Sequence, residues 1–227
     1  MKPPRLARWA DWISRSPPAD LESLVRGLLI HYFFHVSRRE MVEVTGLMPG
    51  ERATLRLLSP TVFRGQGRIR LASTAVLGWT NSPHAYQCSH YEARTPRAVI
   101  EIGEATTINN AASLIAEGAG IFIGRRCLIG TEFQALDTNA HELAVSRRRE
   151  ADTRTQPVVV GDDVFIGSRV TLLKGCRIGQ GCVIAAGSVV PTGFQAPDLS
   201  IVAGNPARVV GRVPDDGAQA ASLPTTP

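Results

Sequence analysis

A chain of 227 residues has room for one large domain or two small ones, and 44% hydrophobic with 20% charged residues is the balance of an ordinary soluble globular protein. The net charge of +5, from 25 basic against 20 acidic residues, fits a surface that meets phosphates or an anionic membrane. It is too small to point to nucleic acid, and no zinc-finger spacing, aromatic RNA-binding signature or recognition-helix pattern supports that class.

In chain order, residues 1–19, with Pro3, Pro4, Pro17 and Pro18, read as a loosely ordered lead-in. A helix capped by Asp20 is expected over roughly Asp20–Met41, amphipathic through "DLESLVRGLLIHYFFHV". Its apolar run is broken by Arg26, His31 and His35 and is shorter than the ~20 residues a bilayer span needs. Packing on its own domain is the first reading of that face, and peripheral membrane contact the second. From about Thr54, "TLRLLSP" and "GRIRLASTAVLGW" alternate as strands do. The tail "PDDGAQAASLPTTP" has almost nothing to bury and reads as disordered. The expected organisation is a lead-in and helix over 1–53, a main domain over 54–213 and a tail over 214–227.

The main domain carries an internal repeat. Val160, Ile166, Leu172, Ile178, Ile184 and Val190 stand six apart without a slip; Ile102, Ile108 and Leu114 form an earlier run that resumes at Ile123 and Ile129 after "AEGAG". The next position is usually Gly, Ala or Asn, and the position four after the aliphatic is small or β-branched. A period of six fits a short strand with one inward aliphatic followed by a corner, where small residues able to take φ > 0 let the backbone bend. Three strands and three corners close a triangular coil that is stable only as a stack. The fold class is therefore all-β, a parallel β-helix. Cys88, Cys127, Cys176 and Cys182 lack CxxC spacing, so neither a zinc ribbon nor a redox pair is indicated; they read as reduced buried thiols of a cytoplasmic protein.

"VGDDVFIGSRVTLLKGCRIGQGCVIAAGSVVP…IVAGNPARVV" resembles the hexapeptide-repeat acyltransferase family, whose β-helix is left-handed. "IGEATTINNAASLIAEGAGIFIGRRCLIGTEFQALDTNAHEL" is similar to the sugar O-acetyltransferases of capsule, exopolysaccharide and lipopolysaccharide clusters. The likeness covers roughly Arg64–Val210. It implies acetyl-CoA as co-substrate with no metal, a saccharide or other small-molecule acceptor, and a homotrimer with each site between neighbouring subunits.

The repeat breaks at length once, over about 137–157, and that excursion holds His141, the single histidine in or near the array. Acetyl transfer to a hydroxyl needs a base that is neutral near pH 7, which suits an imidazole. The resemblance gives His141 that role, with no acyl-enzyme. Asp137 is the candidate to orient the ring, with Glu142 its rival. Asn139 and Ala140 stand where the family usually has Asp and Phe, which bears on the acceptor pocket. Asn109, Asn110 and Asn139 are candidate acceptor-binding residues, although Asn109 and Asn110 also suit a corner. The resemblance assigns Gly167, Ser168, Ala186 and Gly187 to the pantetheine groove and Arg208 to a phosphate of CoA, helped by Arg212. A lysine common after "GSVV" is replaced by Pro191 and Thr192. Arg147, Arg148 and Arg149 form either a solvated loop face or an attraction for a diphosphate. The competing functions are N-acetylation of an amino-sugar nucleotide, a non-catalytic scaffold, and a zinc hydratase, which would need three imidazoles around one metal.

Overall fold

The structure, a computed structural model, describes residues 18–31, 41–47, 54–84, 87–152 and 154–214. The lead-in before Pro18, the expected helical stretch 32–40 and the tail from 215 lie outside the described residues. Helix α1 (Pro18–His31) begins two residues before the expected cap, with proline at its first position. None of its residues with a described environment is buried, and Val25 and Leu28 are exposed. No described helix is long and apolar enough to cross a membrane.

Strands then follow one another round three sheets, each new strand joining the next sheet. The first coil is β1 (Val42–Thr45), β2 (Arg56–Leu57) and β3 (Thr61–Gly65), and the second is β4 (Arg68–Ala72), β5 (Val76–Leu77) and β6 (Ser89–Ala93). The third is β7 (Val99–Ile102), β8 (Thr107–Ile108) and β9 (Ser113–Ala116); the fourth is β10 (Ile121–Ile123), β11 (Leu128–Ile129) and β12 (Gln134–Leu136). After the excursion come β13 (Val158–Val160), β14 (Phe165–Ile166) and β15 (Thr171–Leu172), then β16 (Arg177–Ile178), β17 (Val183–Ile184) and β18 (Val189–Val190). The last turn is β19 (Gln195–Ala196) and β20 (Ser200–Gly204), closed by β21 (Ala207–Arg212), which folds back antiparallel on β20. All other pairings are parallel, every third strand being a neighbour, in sheets of seven, eight and six strands. The chain is thus an all-β, left-handed parallel β-helix with a short N-terminal helix.

Each repeated aliphatic lies in one continuous core: Ile102, Ile108, Leu114, Val160, Ile166, Leu172, Ile178, Ile184 and Val190 are all at most 2% exposed. Register explains the column, since Ile123 pairs with Ile102 and Val160, and Ile166 with Ile129 and Ile184. Burying each such side chain contributes about 1.5–3 kcal/mol. Cys127, Cys176 and Cys182 fill the small positions beside that column, and burial pushes the Cys176 thiol up to about 12; Cys88, by contrast, is exposed.

Two features differ from the expected corner. The left-handed residue is the third after the aliphatic, not the first, and it is often not glycine: Ala105, Ala111, Arg126, Glu132, Asp163, Arg169 and Leu199 all have φ between 54° and 61°. Glycine directly after the aliphatic has another cause. A Cβ at Gly103 would stand 2.6 Å from the carbonyl carbon and oxygen of Gly124 in the next coil. Gly103→Ala is therefore expected to force neighbouring coils apart and cost about 1–3 kcal/mol in urea unfolding; an unchanged midpoint would show that the backbones need not touch there.

The stack also begins before Thr54, because β1 pairs with β4 in full register. In the second coil Ile69, Leu71 and Leu77 continue the aliphatic stack, paired with Ile100, Ile102 and Ile108, while the third sheet contributes Phe63 and Tyr91, packed edge-to-face with centroids 5.7 Å apart.

Candidate active site

The excursion leaves the stack at the corner between the third and first sheets, after β12, and returns at β13. Its base is an ionic knot in which Asp152, Lys174 and Glu142 are buried and Arg154 covers them from the surface. Lys174 Nζ donates to Asp152 Oδ2 at 2.5 Å and to the Arg154 carbonyl at 2.9 Å, while Arg154 also donates to Asp152 and to Glu142 Oε2. The Lys174 ammonium, then the Arg154 backbone N–H, hold the Asp152 carboxyl well below the usual carboxylate range, so it stays charged at neutral pH.

Above this knot the chain makes a short hairpin. His141 bridges Ala151 antiparallel, and Glu142 N–H donates to the Glu150 carbonyl. Thr138 Oγ1 accepts the Ala140 N–H, Ala140 takes a left-handed φ of 62°, and His141 N–H donates to the Asn139 carbonyl at 2.7 Å. That left-handed step costs about 1–2 kcal/mol, and it turns the His141 side chain outward. The hairpin tip carries Leu143, Val145 and a single 3-10 turn, Val145–Arg147.

The His141 ring is exposed and makes no hydrogen bond within the described residues. It lines an open recess of about 520 Å³ with Asn139, Glu142, Leu143, Arg148 and Arg149. A base with no ring partner among the described residues, beside an open recess that Asn139, Arg148 and Arg149 also line, can take a proton from a bound hydroxyl.

Neither carboxylate expected to orient the ring does so within this chain. Asp137, fully buried, accepts the backbone N–H groups of Glu117 (2.6 Å), Gly118 (3.0 Å) and Gly120 (2.7 Å). It ties down the three-residue surplus that interrupts the repeat. Glu142 is taken by Arg154 and faces Arg147 at 3.6 Å. The missed contributors are thus Lys174, Asp152 and Arg154; a lysine at a core-lining corner was the available signal.

The residues expected to hold the co-substrate lie together on a different edge, between the second and third sheets. Gly167 and Ser168 follow β14, and Ala186 and Gly187 stand one coil on, linked by the Gly187 N–H to the Ser168 carbonyl at 2.9 Å. Gly204 continues the line by donating to Ser188 Oγ, and Arg208, exposed, pairs across β20 and β21 with Ala203. No heavy atom lies within 4 Å of where a Gly187 Cβ would stand, and Ala186 is exposed, so the edge forms an open shelf of small residues ending at a guanidinium. That suits a thin amide-bearing chain with phosphates at its end.

Asn109 lies on the same edge and shares a recess of about 410 Å³ with Trp79, Thr107, Leu128, Ile129, Gly130 and Phe165. Asn110 is committed elsewhere. Buried, it accepts the Trp79 N–H and donates to the carbonyls of Trp79 and Pro83, each at 2.9 Å, pinning the loop after β5. One chain therefore does not bring its histidine and its shelf together.

The bacterial transferase hexapeptide family (six repeats) matches residues 157–192. The chain is 30% identical over 76 residues to the polysialic acid O-acetyltransferase of Neisseria meningitidis, covering 34% of this chain and 35% of that protein. It is 35% identical over 100 residues to a putative acetyltransferase of Saccharomyces cerevisiae, covering 44% and 50%. The chain thus spans half or less of the curated relatives it matches. Its fold is shared with a hexapeptide-repeat acetyltransferase of Vibrio cholerae O1 biovar eltor, solved with acetyl coenzyme A, at a TM-score of 0.53 and 24% identity over 88% of this chain and 92% of that one. The match to the bacterial transferase hexapeptide family, over residues 157–192, thus falls on coils of the left-handed parallel β-helix.

Proposed function

We propose that this protein is an acetyl-CoA-dependent acetyltransferase that modifies a hydroxyl of a saccharide, a precursor of a cell-envelope or extracellular polysaccharide, with His141 as general base. The observation that carries the reading is the imidazole of His141, without a hydrogen-bond partner among the described residues, in an open recess on the long excursion of the stack. The acetyltransferase names of its relatives support the reaction class.

Acetyl-CoA supplies the activated acetyl group as a thioester. His141 accepts the proton of the acceptor hydroxyl as its oxygen bonds to the acetyl carbon, and returns that proton to the sulfur released when the C–S bond breaks. Asn139 borders the same recess and is placed to hold the acceptor. Ser168, Ala186, Gly187 and Arg208 seat the co-substrate along the shelf.

Because shelf and histidine occupy different edges, the working site is assembled between copies. Two exposed apolar surfaces support this: Leu143 and Val145 at the hairpin tip, 67% and 83% exposed, and Trp79, Leu128 and Phe165 beside the shelf. A head-to-tail contact of this kind closes into a ring, and in a homotrimer each copy would lend its hairpin to the next.

Mixing inactive variants tests this arrangement. His141→Ala removes the base and Ala186→Trp obstructs the shelf, so each pure protein should release little free CoA thiol with acetyl-CoA and a panel of saccharides and amino sugars. Co-expressed, the two should regain turnover at interfaces that join an intact histidine to an intact shelf. No recovery, with mixed assemblies demonstrated by tag pull-down, would mean that each chain holds its own site.

A further inference from the structure

We propose that Arg148 and Arg149 select an acceptor that carries a carboxylate or phosphate close to the group receiving the acetyl. The inference rests on the assignment of the His141 recess as the acceptor site and adds the charge of the acceptor.

Four arginines cluster at this hairpin, and the structure divides them into two kinds. Arg147 and Arg154 are neutralised by carboxylates: Arg154 by Glu142 at 2.8 Å and Asp152 at 3.2 Å, Arg147 by Glu142 at 3.6 Å and Glu150 at 4.0 Å. Arg148 and Arg149 make no ion pair among the described residues. Arg148 is nonetheless held, since its Nη2 donates to the Leu143 carbonyl at 2.9 Å, which fixes the guanidinium across the hairpin. Both line the recess with His141 and Asn139. Glu142 is the one carboxylate on that wall, and it is 8% exposed with its charge met by Arg154. Among the described residues, therefore, no carboxylate pairs with either of the two guanidinium groups that line the recess with the base.

A guanidinium offers a planar fork of N–H donors matched to carboxylate or phosphate oxygens. A neutral sugar could accept ordinary hydrogen bonds from these groups but would leave both positive charges unpaired. An anion would also raise local encounter through the positive field.

Binding and turnover with matched pairs decide the matter: glucuronic acid against glucose for a carboxylate, glucose 1-phosphate against glucose for a phosphate, and oligosaccharides of each kind. Wild-type protein should prefer at least one charged member, by saturation-transfer NMR and by KM, and the preference should shrink as salt is raised. Arg148→Ala/Arg149→Ala should raise KM for that anionic acceptor about 10–100-fold, the equivalent of losing charge-assisted hydrogen bonds. KM for acetyl-CoA should not move. Which pair responds tells a carboxylated from a phosphorylated acceptor. A wild type that treats charged and neutral partners alike overturns the proposal, as does a double variant that keeps the full preference. Should anion preference persist in a protein that transfers no acetyl group, the charge selection stands while the catalytic reading falls.

Discussion

His141→Ala should slow acetyl transfer by about 10²–10⁴-fold, the range lost when a positioned general base is removed, while the protein melts where the wild type melts. The two halves of that expectation have separate causes. Loss of rate follows from the chemistry, since a sugar hydroxyl attacks a thioester poorly unless its proton is accepted as the bond forms. Unchanged melting follows from the structure, since the imidazole is exposed and makes no internal hydrogen bond among the described residues. The hairpin that carries it is held by backbone pairs from Glu142 to Glu150 and Asp152 to Ala140, which alanine keeps. CoA release measured beside a thermal melt checks both. Full activity in the alanine variant would remove the histidine from the mechanism, and a large fall in melting temperature would make it a structural residue.

Asp137→Ala should do the reverse, costing stability first. Its carboxylate is the shared acceptor for three backbone N–H groups, those of Glu117, Gly118 and Gly120, and it is fully buried. Alanine would strand those donors, of which the Gly120 N–H is in a buried residue that water does not reach readily. Each unsatisfied buried donor costs about 1–3 kcal/mol, so a total near 3 kcal/mol is expected in denaturant unfolding. Asp137→Asn separates this from an orienting role. An amide would set its own N–H groups against backbone donors and lower stability, yet leave the pH dependence of kcat/KM where it was. If instead the asparagine variant melts normally and its pH profile shifts, Asp137 acts on the imidazole in the assembled enzyme.

The same residue shows where reading a sequence stops. Asp137 lies four positions from His141, and a carboxylate at that spacing invites the idea of a catalytic pair. Its real neighbours sit 17–20 positions earlier, brought alongside by the fourth coil. Asn110 repeats the lesson: beside Asn109 it looks like part of a polar pocket, but the coil beneath it presents the loop carrying Trp79 and Pro83, 27–31 positions away, and its amide is used there. The first two coils were hard to see for a different reason. Phe63 and Ile69, then Leu71 and Leu77, are buried six apart, but the strands β3 and β6 are five residues long and a long connection separates Leu77 from Ser89, so the spacing of six between large buried side chains never runs beyond one step although the triangular path is kept.

What the sequence determined alone is the prism itself from Ile102 onward, because that architecture is written in a local rule. Each short strand spends one aliphatic on the core, each corner needs a small residue where coils touch, and both demands fall on positions close along the chain. What only the tertiary structure decided is which polar groups are free to act. A carboxylate, amide or guanidinium is available for chemistry when nothing else has claimed it, and the claimants arrive from other coils. That is how Asp137 and Asn110 became anchors, how Lys174 came to hold the hairpin, and why His141 and the shelf from Ser168 to Arg208 stand on separate edges of one chain.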